Sequence, residues 1–559
     1  MESAADDETV TTGTASASMF PTLTPAQVTR ASAHGTKRAV QAGEVLFDAG
    51  NPVVPFFIVH TGRLEIRRPE GATATLITEL GPGQFTGEAN MLSGRRSLVR
   101  LQALDAGEVV ELTRAQLLAF VQSDAELGEI LMRAFILRRI ELIARGLGDV
   151  ALVGSSHSPG TLRIKEFLTR NGHPYSYIDL DRDADVQELL DRFKVAVTDV
   201  PVLICRGESV LRNPTNQEIA ACLGFNDAID QLHVRDVIVI GAGPAGLAAA
   251  VYAASEGLDV LVVESNSPGG QAGSSSRIEN YLGFPTGISG YDLAARAYAQ
   301  AQKFGAEILI ARGATQLTCD RRPYAVQIDE GPRIFGRAIV IATGAEYRRP
   351  SLDNLARFEG TGVYYGATAI EAQLCSGEEV VVVGGGNSAG QAAVFLAETT
   401  RHVQMLVRAA DLAETMSRYL IQRIDENPAI TLRTHTEIIA LEGQTRLERV
   451  SWRDSRNQHV DTGDIGHVFL MTGAVPNTHW LEGCVALDAQ GFVKTGSDVS
   501  HDELVTAGWP LARAPYLLET SLPGVFAVGD VRGSSIKRVA SAVGEGSIAV
   551  TFVHKVLRE

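Results

Sequence analysis

Residues 236–264 read DVIVIGAGPAGLAAAVYAASEGLDVLVVE, and this stretch decides the fold. The apolar run Val237 to Ile240 has strand character and leads directly into Gly241-x-Gly243-x-x-Gly246. An alanine-rich helix is expected next, opening at Pro244 and Ala245, and then a second strand ending at Glu264. Each glycine has its own physical reason. Gly241 permits the tight turn, Gly243 lets backbone approach a diphosphate, and Gly246 lets the helix lie close to the strand. The helix N-terminus offers unpaired N–H groups and the positive end of a dipole. Glu264 stands 23 positions after Gly241, near the separation of about 20 at which a carboxylate accepts hydrogen bonds from a ribose diol.

The unit occurs again. Residues 377–408 read GEEVVVVGGGNSAGQAAVFLAETTRHVQMLVR. Gly384-x-Gly386-x-x-Ala389 is the same turn, with Asn387 and Ser388 inside it and alanine as the third small residue. The second strand is expected to end at Arg408, where no acid stands. A cation there suits the 2′-phosphate of NADP and leaves NAD without its usual partner. NADPH is therefore the expected cofactor, with NADH kept as the alternative. Two such sites in one chain imply a relay, in which a nicotinamide delivers hydride to a flavin that passes electrons onward.

Around these two units lie 559 residues, 45% hydrophobic and 21% charged, an ordinary globular balance. That length predicts three to five domains at about 150 residues each. The net charge of -16 argues against a nucleic-acid partner, which needs a basic face. The acidic, polar start of the chain has neither a basic segment nor an apolar one, so a disordered tail is expected rather than a signal peptide. The apolar run Val237 to Ala254 is long enough to raise a membrane span, but the glycine turn inside it explains it better. The expectation is a soluble, cytoplasmic protein without membrane insertion. Cys205, Cys222, Cys319, Cys375 and Cys484 include no CxxC pair. They read as scattered structural thiols in a reducing compartment, and no His or Cys spacing suggests a metal.

The order of motifs from residue 234 to 559 resembles the thioredoxin reductase family. Gly269-Gly270-Gln271 followed by Glu279-Asn280 is similar to that family's flavin-contacting segment. Ala342-Thr343-Gly344 resembles the strand closing the first half of its FAD domain. Thr472-Gly473 with Pro476-Asn477-Thr478 resembles the return crossover, and the segment from Thr520 to Asp530, with Gly529-Asp530 at its end, resembles the one whose Asp binds the flavin's ribityl chain. The resemblance implies an FAD domain split in two around an inserted nicotinamide domain, and a homodimer. It also implies a CxxC dithiol just before the second glycine turn. Here those two positions are Gly366 and Ala369, and nearby Cys375 has no partner thiol. Disulfide exchange needs a thiolate, so the usual chemistry of the family is not expected. The family's basic NADP segment is thinned to Arg408, with Ala413 in place of its last arginine and Arg418 available to compensate.

Residues 149–232 alternate strand and helix patterns: a strand at Val150 to Val153, a helix at Leu162 to Arg170, a strand at Tyr175 to Ile178, and a further helix after an Asp-rich turn. Asp199-Val200-Pro201-Val202 follows. The segment resembles a glutaredoxin-like thioredoxin fold, whose cis-proline would be Pro201. Ser158-Pro159-Gly160-Thr161 occupies the place of its dithiol, so hydroxyls stand for both sulfurs. A spacer or docking platform is expected, with Cys205 as a lone-thiol alternative.

Residues 36–121 show short strands separated by glycine turns, flanked by helical patterns at Pro25 to Ala33 and Ala125 to Gly146, which predicts a β jelly roll. Phe85-Thr86-Gly87-Glu88 and Gly94-Arg95-Arg96-Ser97 resemble the cyclic-nucleotide-binding domain. The resemblance implies that Glu88 meets a ribose hydroxyl and Arg96 the cyclic phosphate, with Gly87 and Ser97 beside them. Binding is expected to be weak or altered, because the intervening stretch is shortened and Arg95 replaces the usual proline.

The expected fold is multidomain α/β: a jelly roll, a thioredoxin-like fold and two three-layer Rossmann-like domains binding FAD and NAD(P). The expected boundaries are a tail at 1–20, the jelly roll at 21–148, the thioredoxin-like domain at 149–232, FAD-domain halves at 234–350 and 474–559, and the nicotinamide domain at 351–473. The expected activity is an FAD-dependent NAD(P)H oxidoreductase. Its acceptor is left open among a quinone, a small electron-transfer protein, oxygen and a partner disulfide. The alternatives are thioredoxin-disulfide reduction through a non-standard cysteine, and a cyclic-nucleotide-responsive sensor or scaffold with structural FAD.

Overall fold

The structure, a computed structural model, describes residues 18–52, 54–70, 73–88, 90–93, 95–144, 150–182, 199–205, 209–226 and 229–559. Most of the expected tail lies outside them. The N-terminal unit opens with helix α1 (Pro25–Ser32), capped reciprocally by Thr24 and Gln27. Seven strands follow: β1 (Thr36–Val40), β2 (Val45–Phe47), β3 (Phe56–Thr61), β4 (Leu64–Glu70), β5 (Thr73–Leu80), β6 (Arg100–Ala103) and β7 (Gly107–Leu112). They make two antiparallel sheets, ordered β1-β7-β3 and β2-β6-β4-β5. Helices α2 (Arg114–Ser123) and α3 (Ala125–Ala144) close one end. Phe135 of α3 meets Phe56 and Phe85 edge-on at 6.1 and 6.4 Å between ring centroids, which ties the helix to the barrel core.

The next unit is a sheet of β8 (Val150–Gly154), β9 (Ser176–Asp179), β10 (Val202–Cys205) and β11 (Ser209–Arg212), ordered β11-β10-β8-β9. Only the β8–β9 pairing is parallel. Helix α4 (Pro159–Arg170) connects β8 to β9, and α5 (Asn216–Leu223) follows β11. The Val200–Pro201 peptide is cis. The helix expected after the Asp-rich turn falls on 183–198, outside the described residues.

The third unit, which carries the first glycine turn, is built on β12 (Val234–Ile240), β13 (Val260–Glu264), β14 (Glu307–Ile310), β15 (Ala314–Thr318), β16 (Tyr324–Ile328), β17 (Arg333–Ile341) and β28 (Val525–Ala527). The order is β14-β13-β12-β17-β16-β15, and β28 joins the far half of β17 in parallel. A strand about 200 positions away in sequence thus completes the sheet. Helix α6 (Pro244–Ser255) covers it, and the last helix (Val539–Arg558) crosses α6 so closely that a Cβ on Gly546 would lie 2.2 Å from the Ala245 carbonyl oxygen. This contact explains the alanine-rich sequence of α6, which is buried on nearly every face. The run Val237 to Ala254 is therefore strand, turn and helix, and no helix among the described residues is long and apolar enough to cross a membrane.

The inserted unit holds five parallel strands, β19 (Val363–Tyr364), β20 (Glu379–Val383), β21 (His402–Leu406), β22 (Ile430–Arg433) and β26 (His467–Leu470), ordered β19-β26-β20-β21-β22. Helix α9 (Asn387–Leu396), among those on its faces, follows β20, and an antiparallel meander of β23 (Thr436–Glu442), β24 (Arg449–Asp454) and β25 (Val460–Gly463) stands beside the sheet. Val380 to Val382 are fully buried, as a central parallel strand requires. Two antiparallel strands, β18 (Ala345–Tyr347) and β27 (Ala474–Pro476), carry the chain into the insertion and back.

One expectation about cysteine needs correction. Cys319 and Cys484 form a disulfide with Cα atoms 5.8 Å apart. The pair joins the end of β15 to the segment after β27, across 165 positions of sequence. Spacing in the chain carries no information about such a contact, so scattered thiols were the natural reading. The pairing removes the argument for a reducing compartment that rested on five separate thiols.

Candidate functional site

At the first glycine turn, the three small residues divide into two kinds. A Cβ on Gly241 would lie 2.3 Å from the Ala342 carbonyl oxygen, and one on Gly246 would lie 1.9 Å from that of Gly241. Those two are glycine because protein already fills the space. A Cβ on Gly243 would meet only the Gly270 Cα at 3.9 Å, and one on Gly344 would meet nothing within 4 Å. Gly243 and Gly344 thus border open space at the N-terminus of α6, the cradle that a dinucleotide diphosphate needs. The residues present fit the group.

Glu264 is buried and ends β13 as expected. One carboxylate oxygen accepts from Ala242 N at 2.8 Å, and the other from Asn266 N at 2.8 Å. Burial pushes its carboxyl above the usual range, against the pull of those N–H groups and of the nearby Arg170. The Gln271 amide donates to the Ala345 carbonyl. The Thr343 hydroxyl donates to the Asn477 carbonyl at 2.8 Å, and the Asn477 amide returns a bond to the Thr343 carbonyl at 3.0 Å. These bonds lock outgoing and returning crossovers together. Gly529 sits against Ala245, with 2.9 Å between its Cβ position and the Ala245 Cβ, which brings Asp530 to the same helix N-terminus. Burial raises the Asp530 carboxyl, and Lys537 opposes the shift. Asn280 is exposed, at the edge of this group.

The second turn repeats the division. A Cβ on Gly384 would lie 2.4 Å from the Met471 carbonyl oxygen, while one on Gly386 would meet nothing within 4 Å. Ala389 is fully buried beneath the turn. The Asn387 side chain accepts from Ser417 N at 2.7 Å, and the Thr415 hydroxyl donates to the Gly385 carbonyl at 2.8 Å. The segment from Arg408 to Arg418 is thereby tied across the glycine loop. Strand β21 ends at Leu406, so Arg408 lies just beyond the strand rather than at its last residue. Arg408 and Arg418 are both exposed, with no ion-pair partner among the described residues. Arg418 is the first residue of helix α10 (Arg418–Glu426). Burial raises the Tyr347 hydroxyl, with Ser388 of the second turn near enough to lower it and the Asp530 charge near enough to raise it. Tyr347 therefore stands between the two dinucleotide units.

Gly366 faces Ser274 of the first unit, its Cβ position 3.8 Å from the Ser274 Cβ, and Ala369 opens helix α8 (Ala369–Leu374). Cys375 at the end of that helix is fully buried, and burial pushes its thiol up to about 12. In the middle unit, Ser158 caps α4 without a side-chain bond and Thr161 is fully buried. Pro159 lies against Gly360 of the inserted unit, 2.8 Å from the glycine's Cβ position.

In the jelly roll, a Cβ on Gly87 would lie 2.6 Å from the Met91 sulfur, so the turn before Glu88 requires glycine. Glu88 pairs with Arg139 of α3 at 3.5 Å. The two arginines of the expected phosphate arm turn elsewhere. Arg96 lies over Gly224 of the middle unit. Arg95 is buried, donates to the Asn171 carbonyl at 3.1 Å and to Tyr298 Oη at 3.2 Å, and stacks on Phe225 at 4.1 Å. The Ser97 hydroxyl donates to the Val99 carbonyl at 2.8 Å. Sequence reasoning missed Arg139, Tyr347, Lys537 and the middle-unit residues Arg170 and Asn216. None lies at a motif spacing, because each reaches its site from another element or another unit.

Two parts of the chain match known protein families. Residues 37–124 match the cyclic nucleotide-binding domain. Residues 235–546 match the pyridine nucleotide-disulphide oxidoreductase pattern. The thioredoxin reductase of Treponema pallidum is 33% identical over 315 residues, covering 56% of this chain and 94% of its own. The NADPH-dependent thioredoxin reductase 3 of Arabidopsis thaliana is 33% identical over 334 residues, and the chain spans 58% of its length. Among solved structures, Lactococcus lactis thioredoxin reductase superposes with a TM-score of 0.52 and 25% identity over 58% of this chain and 100% of its own. The match over residues 235–546 takes in both glycine turns, and the chain belongs to the pyridine nucleotide-disulphide oxidoreductase family.

Proposed function

We propose that the chain is an FAD-dependent NADPH oxidoreductase whose electrons leave by a route other than a dithiol at Gly366 and Ala369. The observation that carries this reading is the pair of glycine turns, each with its middle glycine open and its flanking small residues packed shut. When bound, FAD would supply hydride acceptance from the nicotinamide and electron transfer onward. The chain's own residues bind and orient. Gly243 and α6 receive one diphosphate, Glu264 a ribose, and Gly386 with α9 the other diphosphate. Arg408 and Arg418 are free to meet a 2′-phosphate, which favours NADPH over NADH. The relatives are thioredoxin reductases by name, and the present chain has glycine and alanine where the resemblance expects their thiols. A quinone, oxygen or a small electron-transfer protein is the favoured acceptor class.

The middle unit is read as a thioredoxin-like fold. The order β11-β10-β8-β9 with one parallel pairing supports that reading, and Ser158 with Thr161 supports a structural rather than a redox role. The jelly roll is read as a cyclic-nucleotide site of altered form at Gly87, Glu88 and Ser97, with Arg96 turned away from it onto Gly224. Its phosphate arm reaches Tyr298 of the flavin unit through Arg95, which supports coupling to the reductase.

Anaerobic addition of NADPH to the purified yellow protein tests the main reading. Bleaching of the flavin absorbance is expected, and a quinone, oxygen or oxidised thioredoxin then identifies the acceptor by restoring it. A colourless protein that takes up no added FAD removes the proposal. Cyclic AMP or cyclic GMP in the same assay tests the coupling, which fails if neither gives heat by calorimetry nor changes the bleaching rate.

A further inference from the structure

The middle unit does more than touch the flavin unit. Arg170, the last residue of α4, donates from Nη2 to the Gly270 carbonyl at 2.7 Å and from Nη1 to Glu166 at 3.3 Å. Its side chain is 13% exposed, and its Nε is buried with no partner. Gly270 itself packs against the first glycine turn, its Cβ position 3.0 Å from the Gly243 Cα. A guanidinium is thereby fixed one residue's width from the glycine left open for the ligand. It is also close enough to Glu264 to pull that buried carboxyl down.

A second contact comes from the same unit by a different element. Asn216, the first residue of α5, donates to the Asn266 side chain at 2.9 Å. Arg163 of α4 donates to Asn216 at 2.6 Å and to the Pro214 carbonyl at 2.6 Å, which fixes the asparagine. Asn266 N in turn donates to Glu264. Two side chains of the middle unit thus end on Gly270, beside the open glycine of the turn, and on Asn266, whose N–H holds Glu264. The docking is anchored further along, where the Asn226 amide makes bonds of 2.8 and 2.7 Å with both backbone groups of Ile310, on the sheet's edge strand β14.

We propose that Arg170 and Asn216 are positioning residues for FAD, so that the middle unit forms part of the cofactor cradle at its adenosine diphosphate end. The proposal rests on the reading of the first turn as an FAD site. Arg170 holds the Gly270 carbonyl away from the diphosphate and places its charge beside it. A fixed cation there offsets the negative charge that Glu264 and a diphosphate bring to one place. Asn216 holds Asn266, and through its N–H the orientation of the Glu264 carboxylate.

The test uses the full chain, stripped of flavin and titrated with FAD and with FMN by flavin fluorescence. FMN lacks the adenosine end. Arg170→Ala is expected to raise the FAD dissociation constant about ten-fold or more, with a smaller rise for FMN, which keeps one of the two phosphates, and with the melting temperature of the stripped protein unchanged. Arg170→Lys, which keeps the charge and loses the fork, is expected to fall between. Asn216→Ala is expected to raise the FAD constant roughly three-fold. Equal rises for FAD and FMN, or no rise for either, overturn the proposal and leave the flavin site standing. Wild-type protein that binds no FAD overturns the flavin site and the proposal together.

Discussion

The first glycine turn is backed by a buried acid, and two side chains from a third unit lean on the residues around it. At the second turn the cations Arg408 and Arg418 stand in solvent, on a segment that bonds from Ser417 and Thr415 tie to the glycine loop. The turns share one geometry, yet one site is enclosed and the other open. A tightly held cofactor gains from enclosure, because buried charge-assisted bonds are strong and slow to break. A cofactor that must leave after each turnover gains from exposed charges, which steer it in and release it in screened solvent. The difference teaches that the glycine motif specifies the diphosphate grip alone, and that residence is set by what surrounds it.

The comparison breaks most sharply at the glycines. Gly246→Val puts side-chain atoms into the Gly241 carbonyl and is expected to cost about 3 kcal/mol of stability, read as a fall in melting temperature. Gly243→Val, whose Cβ faces open space, is expected to keep the stripped protein's stability within about 0.5 kcal/mol and to abolish flavin uptake. Equal melting temperatures for the two variants would remove the distinction between packed and open glycines. A smaller effect belongs to the open site. Arg408→Ala is expected to lower kcat/KM for NADPH by roughly ten- to a hundred-fold and to leave NADH unchanged. Comparable losses for both cofactors would remove the 2′-phosphate contact. The smallest effect is expected at Cys375. Its thiol, held at about 12, is protonated at pH 8, so native protein should not be alkylated there and Cys375→Ser should change turnover less than about two-fold.

Much of this was legible in sequence where the chemistry is local. Gly241 to Gly246 and Gly384 to Ala389 lie within single turns, and the strands and helices around them follow from their apolar runs. The alternating jelly-roll strands were legible for the same reason. What escaped was contact between units. The resemblance gives Arg96 to a phosphate, but its side chain lies over Gly224. Arg170 looked like an ordinary helix end, because nothing near it in the chain marks the Gly270 carbonyl 100 positions away. Arg408 was placed at a strand's end by counting, and the strand stops at Leu406 because the chain turns there to cross the glycine loop.

The Cys319–Cys484 bond has a topological effect. It closes residues 319–484 into a covalent loop that contains the whole inserted unit, with both entry and exit strands inside the loop. A protease that nicks the insertion once leaves a single covalent molecule, which separates into two pieces only after a reductant is added. The inserted unit can also unravel while the sequence-distant segments on either side of it stay tethered, so re-forming the sheet around β12 does not have to wait for a long-range encounter.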